Sequence, residues 1–163
     1  MTEDPTAAAH TKPLERDAPA EADTSRDDAR AQQPAGYVSG NMATDAHRLA
    51  RRGWIVGVFF SEDPTEAARA SEQIEVKYWS FERGGSAAHP MKSSSTIEWT
   101  LIIAGKVRAE IGDEHVILSA GDYALIHPGT PNNVVAEVLE DVVGVTIKSP
   151  SNPDAKTVLP DGA

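Results

Sequence analysis

The chain has 163 residues, 40% of them hydrophobic, enough for one core and one domain. It contains no cysteine, which excludes disulfides, thiolate metal sites and a cysteine nucleophile. A formal net charge of −10 disfavours nonspecific attachment to nucleic acid or an anionic membrane, because no basic stripe offsets the repulsion.

Residues 1–36 are rich in Ala, Asp, Glu, Pro and Thr and almost lack large apolar side chains. They bury too little surface to offset the entropy of ordering, so a disordered acidic tail is expected. The N-terminus lacks the basic-then-apolar order of a secretory signal, and no apolar run approaches the roughly 20 residues of a membrane span. The expected location is the cytoplasm.

Residues 37–70 read as an arm of helix and strand. Asp45 is the expected N-cap of a helix from Ala46 to Arg52, with Gly53 terminating it. Trp54 to Phe60 reads as a buried strand. Asp63-Pro64-Thr65-Glu66 is a capping-box pattern with Pro at the first helical position, opening a short helix through Ala70.

Residues 71–163 are read as a β-barrel. Ile74–Phe81, Thr96–Ile103, Lys106–Ile111, His115–Leu118, Tyr123–Ile126, Asn133–Val138 and Val142–Ile147 are expected strands. Gly105 and Gly112-Asp113 mark turns between them. Many short strands at this spacing point to a sandwich or a closed barrel, whose closure removes exposed edges.

Two segments within this region resemble the paired motifs of the cupin superfamily, over roughly Lys77 to Ile147. Gly84-Gly85, Glu98 and Gly105 fall in register with the first motif, and Gly121-Asp122 and Gly129 with the second. The resemblance implies an all-β, jelly-roll-like cupin barrel, a double-stranded β-helix, with short N-terminal helices and a pocket into which Glu98 points. It also implies a degenerate metal site. The positions of the family's H-x-H fall among Met91, Lys92, Ser93 and Ser94; His127 stands where proline is usual, and Asn132 replaces the last metal-binding histidine.

A cupin metal is normally held by three imidazoles and a carboxylate, a set suited to first-row divalent ions. Here no metal ligand set is expected, with a divalent transition metal on His89, Glu98 and His127 as the fallback. On an alternating strand Glu98, Thr100 and Ile102 share one face and Trp99, Leu101 and Ile103 the other. A buried Glu98 without a metal has its pKa raised by desolvation unless Lys92, a histidine or a ligand cation pairs with it. A carboxyl tuned that way serves as a general acid or base.

Three functional classes follow. The first is a metal-independent enzyme acting on a small polar or anionic metabolite by proton transfer, in isomerisation, epimerisation, cyclisation or decarboxylation. Glu98 is its acid or base, His89 or His127 the catalytic partner, and Lys92, Ser94, Thr100, Tyr123, Asn132 and Asn133 the ligand contacts. The second is a noncatalytic module that senses or stores a ligand in the same pocket. The third is a metal-dependent dioxygenase with rearranged ligands. Because Trp99, Leu101 and Ile103 make one strand apolar on both sides, something must cover its outer face, and Trp79 is a second candidate for that face. A homodimer is expected, with Trp54 to Phe60 as a strand for exchange.

Overall fold

The structure, a computed structural model, describes residues 36–86 and 90–159. The expected tail, apart from Gly36, and the candidate His89 lie outside the described residues. The expected all-β fold is present: eight antiparallel strands form one curled half-barrel sheet, preceded by a short helix and two 3-10 turns. Among the described residues no helix is long and apolar enough to cross a membrane.

The sheet is organised by two long strands, β4 (Ile97–Ile111) and β7 (Asn132–Ser149), which pair along almost their whole lengths. Each had been expected as two strands. Gly105 is not a hairpin turn: with φ at +79° it lets β4 bend within the ladder, where the register skips between Ala104 and Lys106. A Cβ at this position would collide with the Asp141 carbonyl of β7, so only glycine permits the close approach. Bending both strands together carries the sheet around the core without breaking the pairing.

The remaining strands attach to this pair. β2 (Glu75–Phe81) lies along the second half of β7, and the short β1 (Trp54–Val56) extends the sheet beyond β2. On the far edge of β4 lie β5 (Glu114–Ser119) and β6 (Tyr123–Ile126). β3 (Lys92–Ser94) sits between the start of β7 and β8 (Lys156–Val158). The inner faces enclose an apolar core that includes Ile102, Val107, Leu118, Ile126, Val138 and Val142.

The arm differs from its sequence reading. The helix α1 spans Met42–Arg48, and its cap is Asn41, whose side chain accepts a hydrogen bond from the Thr44 amide. Asp45 lies inside the helix, buried, paired with Arg69 at 3.0 Å and Arg48 at 3.2 Å. Gly53 follows four residues after the C-cap Leu49. The expected strand Trp54–Phe60 stops at Val56 and gives way to a 3-10 turn, Val58–Phe60. The Asp63 side chain accepts from the amide and hydroxyl of Thr65, but no helix opens at Pro64: a 3-10 turn, Ala67–Arg69, follows, with Glu66 at its N-cap and no side-chain cap bond. Glu66 is drawn away from the capping box by Arg48 at 2.6 Å and Arg69 at 2.9 Å, charge-assisted bonds that outweigh one backbone amide.

Candidate functional site

Strand alternation and register together decide which side chains meet inside the sheet. Across β2, β7 and β4, Glu75 faces Lys148 and Lys148 faces Glu98; in the next row Lys77, Thr146 and Thr100 align. A third row places Trp79 beside Gly144 and Ile102. A Cβ on Gly144 would overlap the Trp79 ring, so the missing side chain lets the indole lie inward rather than on the outer face for which it was a candidate. Its Nε1 donates to Thr146 Oγ1 at 3.0 Å, and the Thr146 and Thr100 hydroxyls are 3.0 Å apart.

These rows wall a cavity of about 680 Å³. Its charges are unbalanced: Arg51, Arg52, Lys77, Lys92, Lys148 and Lys156 stand against the carboxylates of Glu75 and Glu98. Glu75 is itself occupied, its Oε1 accepting from the Asn152 amide at 2.9 Å and the Ser151 hydroxyl at 3.2 Å. A strongly acidic chain has therefore gathered a cationic surplus in one concave place. Low-dielectric walls focus such a field and raise the local concentration of anions.

Glu98 lies at the centre. Its side chain is 4% exposed, and Lys92 Nζ donates to both carboxylate oxygens, at 2.8 Å to Oε1 and in a short contact to Oε2. Lys148 Nζ stands 3.4 Å from Oε1. Burial alone pushes the Glu98 carboxyl up, but the two ammonium groups outweigh it and hold the pKa below the ordinary glutamate value. Of the three partners under which no elevation was expected, a histidine, a ligand cation or Lys92, the structure supplies Lys92. For Lys92 burial is the largest influence and lowers its pKa; the attraction of Glu98 offsets only part, and Lys148 and Lys156 lower it further. The pair combines an ionised carboxylate with an ammonium that releases its proton more readily than usual.

Of the candidate residues, Glu98, Lys92 and Thr100 line this cavity. Ser94 is buried beside them in the fold, but its hydroxyl is engaged with that of Thr96 at 2.9 Å. His127 lies exposed in a turn and is not among the lining residues, and Tyr123 is 63% exposed on the outer face, edge-on to Trp99. Asn132 is fully buried, with Nδ2 donating to the Thr130 carbonyl at 3.1 Å. Asn133 sits opposite Glu110 on β7. The sequence reading missed Lys77, Lys148, Lys156 and Glu75. Lys77 and Glu75 share the face of Trp79 by alternation on β2, a signal open to the eye once that tryptophan is placed inward.

Residues 77–147 match the family described as the cupin domain. This stretch of the chain is a cupin domain. Similar solved structures include DMSP lyase DddQ from Ruegeria pomeroyi DSS-3, 18% identical with a TM-score of 0.50, covering 58% of this chain and 47% of that one. KdgF from Halomonas sp. is 21% identical with a TM-score of 0.46, covering 52% and 74%. Oxalate decarboxylase from Bacillus subtilis is 20% identical with a TM-score of 0.47, covering 55% of this chain and 24% of its own. No curated protein matches the sequence.

Cupins commonly carry a divalent metal, and the described residues around this cavity do not fit one. The carboxylate at the expected ligand position is already engaged by two ammonium groups, whose charge repels a second cation. Among the described residues no three His, Asp or Glu side chains converge. Of the fallback residues that are described, Glu98 lines the cavity, whereas His127 is exposed in its turn and is not among the lining residues.

Glu98→Gln is expected to destabilise the fold by about 3 kcal/mol at neutral pH, because it leaves two buried ammonium groups facing a neutral amide. Lys92→Met should cost less, since Lys148 remains as a partner. The Glu98 contribution is present above its unfolded-state value near 4.5 and is lost as pH falls through the lower folded-state value. Urea unfolding at several pH values checks this: the gap between wild type and Glu98→Gln should shrink below that point, and an unchanged gap would contradict the pairing.

Proposed function

We propose that this cupin domain binds a small organic anion bearing carboxylate or phosphate groups. The observation that carries the reading is the excess of lysine and arginine over carboxylate around one cavity. Apolar walls from Trp54, Phe59, Trp79 and Phe81 suit the carbon skeleton of such a ligand, while Thr100 and the lysines supply donors. Electroneutrality favours a ligand with more than one negative charge.

A second reading, proton transfer on the bound anion without a metal, is favoured by the contact of Glu98 with Lys92. The ionised carboxylate is placed as proton acceptor, and Lys92, eased toward its neutral form, as donor. Isomerisation, epimerisation or decarboxylation would each use that pair. If the pair acts only as a fixed counter-charge, the protein is a binding module.

Malonate is a suitable probe of both readings. At about one hundred times its Kd it should stabilise the fold by about 2.7 kcal/mol, seen as a rise in Tm that weakens with added salt, whereas a neutral sugar leaves Tm unchanged. Equal stabilisation by neutral and anionic compounds would count against an anion site. In deuterium oxide, exchange of the malonate methylene that is faster with wild type than with Lys92→Met supports proton transfer; binding without accelerated exchange supports the module.

The outer face of the sheet is proposed to pack against a second copy of this chain. Ile97, Trp99 and Ile103 of β4 and Tyr123 and Leu125 of β6 are each 40–63% exposed and form one contiguous apolar surface. Light scattering at micromolar concentration should give the dimer mass, and Trp99→Glu the monomer mass. A monomeric wild type would overturn the assembly.

A further inference from the structure

Lys77 stands apart from the other lysines of the cavity. Lys92 and Lys148 share Glu98, and Lys156 is exposed at the rim. Lys77 is half-buried on the inner face, and among the described residues no carboxylate lies within ion-pairing distance of its Nζ. Its position is nevertheless defined. A Cβ at Gly53 would lie 3.5 Å from its Cγ and Cε, so the stem runs against the β1 turn, and Nζ stands 5.6 Å over the Trp54 ring. On the sheet it lies beside Thr146, one row from Lys148 and Glu98.

Burial and the surrounding cations favour the neutral amine, whereas the Trp54 ring face favours the ammonium. Burial is the largest influence, followed by the positive charges of Lys156 on β8, Lys148 on β7, Lys92 on β3 and Arg52 before β1, and all lower its pKa. The nearby acids are Glu75, engaged by the Ser151 and Asn152 region, and Glu98, engaged by Lys92 and Lys148. A desolvated lysine among other cations is the setting in which an amine is nucleophilic near neutral pH.

We propose that Lys77 is a nucleophile that forms an imine with the carbonyl carbon of a small oxo acid whose carboxylate is held by the neighbouring lysines. This rests on the anion-binding reading and adds a covalent step to it. The Nζ lone pair forms the C–N bond while the carbonyl π pair moves to oxygen, which takes a proton from a neighbouring ammonium. The carbinolamine then expels that oxygen as water, one hydrogen coming from the amine and the other from the ammonium, and the nitrogen lone pair closes the C=N bond. The product is a protonated imine carrying the same charge as the lysine ammonium, and nothing is oxidised or reduced. Thr146 and Thr100 line the row in which the carbonyl oxygen would leave.

The test is reductive trapping of the full chain with pyruvate and cyanoborohydride, followed by peptide mass mapping, over roughly pH 6 to 9. The expected adduct is at Lys77, about fivefold or more above that at the exposed Lys106, suppressed by malonate and absent in Lys77→Arg. Its rate should reach a plateau at lower pH than that of an ordinary lysine amine. Should Lys77→Arg fail to fold, suppression by malonate in wild type supplies the same control. Labelling spread over lysines according to exposure, with malonate still raising Tm, overturns the imine and leaves the anion site standing. If malonate neither stabilises the fold nor suppresses labelling, both readings fall.

Discussion

The register between β4 and β7 is the constraint on which the rest of the structure depends. It sets Glu98 opposite Lys148 and Thr100 opposite Thr146, and because β2 pairs with the other edge of β7, it also sets Glu75, Lys77 and Trp79 in the same rows. A slip of one residue would turn all of these side chains outward and bring Trp99 and Leu101 into the cavity. The register shifts at the Gly105 bend, beyond the rows of Glu98, Thr100 and Ile102, so the sheet curls while those rows stay aligned. β3 completes the arrangement by carrying Lys92 from a neighbouring position onto the Glu98 carboxylate.

The charge distribution explains how a buried carboxylate is accommodated in this pocket. A buried glutamate needs a positive partner, and here ammonium groups supply it directly. The two lysines over-compensate a single carboxylate, and Lys77, Lys156 and the arginines add to the excess. The same feature that stabilises Glu98 thereby creates a place with a deficit of negative charge. An anionic ligand would fill that deficit, whereas a divalent cation would deepen it.

Much of the fold was legible because its signals are local. Alternation of apolar residues marked β2 and β6 closely, and Glu98 with Thr100 was placed on one face by the same rule. Gly105 misled because a glycine at positive φ serves a hairpin turn and a bulge equally well; the choice was made by Asp141, distant in sequence. The Lys92 segment was not among the expected strands, since nothing local shows that β7 and β8 lie on either side of it. Lys148 lay one residue past the expected end of its strand, and its meeting with Glu98 is a matter of cross-strand register. The inward position of Trp79 was not legible, because the space for its ring is made by Gly144 on another strand. Asn41 was passed over as a cap in favour of Asp45, whose charge is used instead by Arg48 and Arg69.

The central claim, that lysines hold Glu98 ionised and leave a cationic cavity awaiting an anion, is tested most directly by NMR titration of the lysine Cε and Glu98 carboxyl carbons, with and without malonate. The account predicts that Glu98 titrates below the ordinary glutamate value, that Lys77 and Lys92 titrate below the ordinary lysine value in the free protein, and that malonate moves both lysines upward. A Glu98 carboxyl that titrates above its ordinary value, or lysines indifferent to malonate, would contradict it.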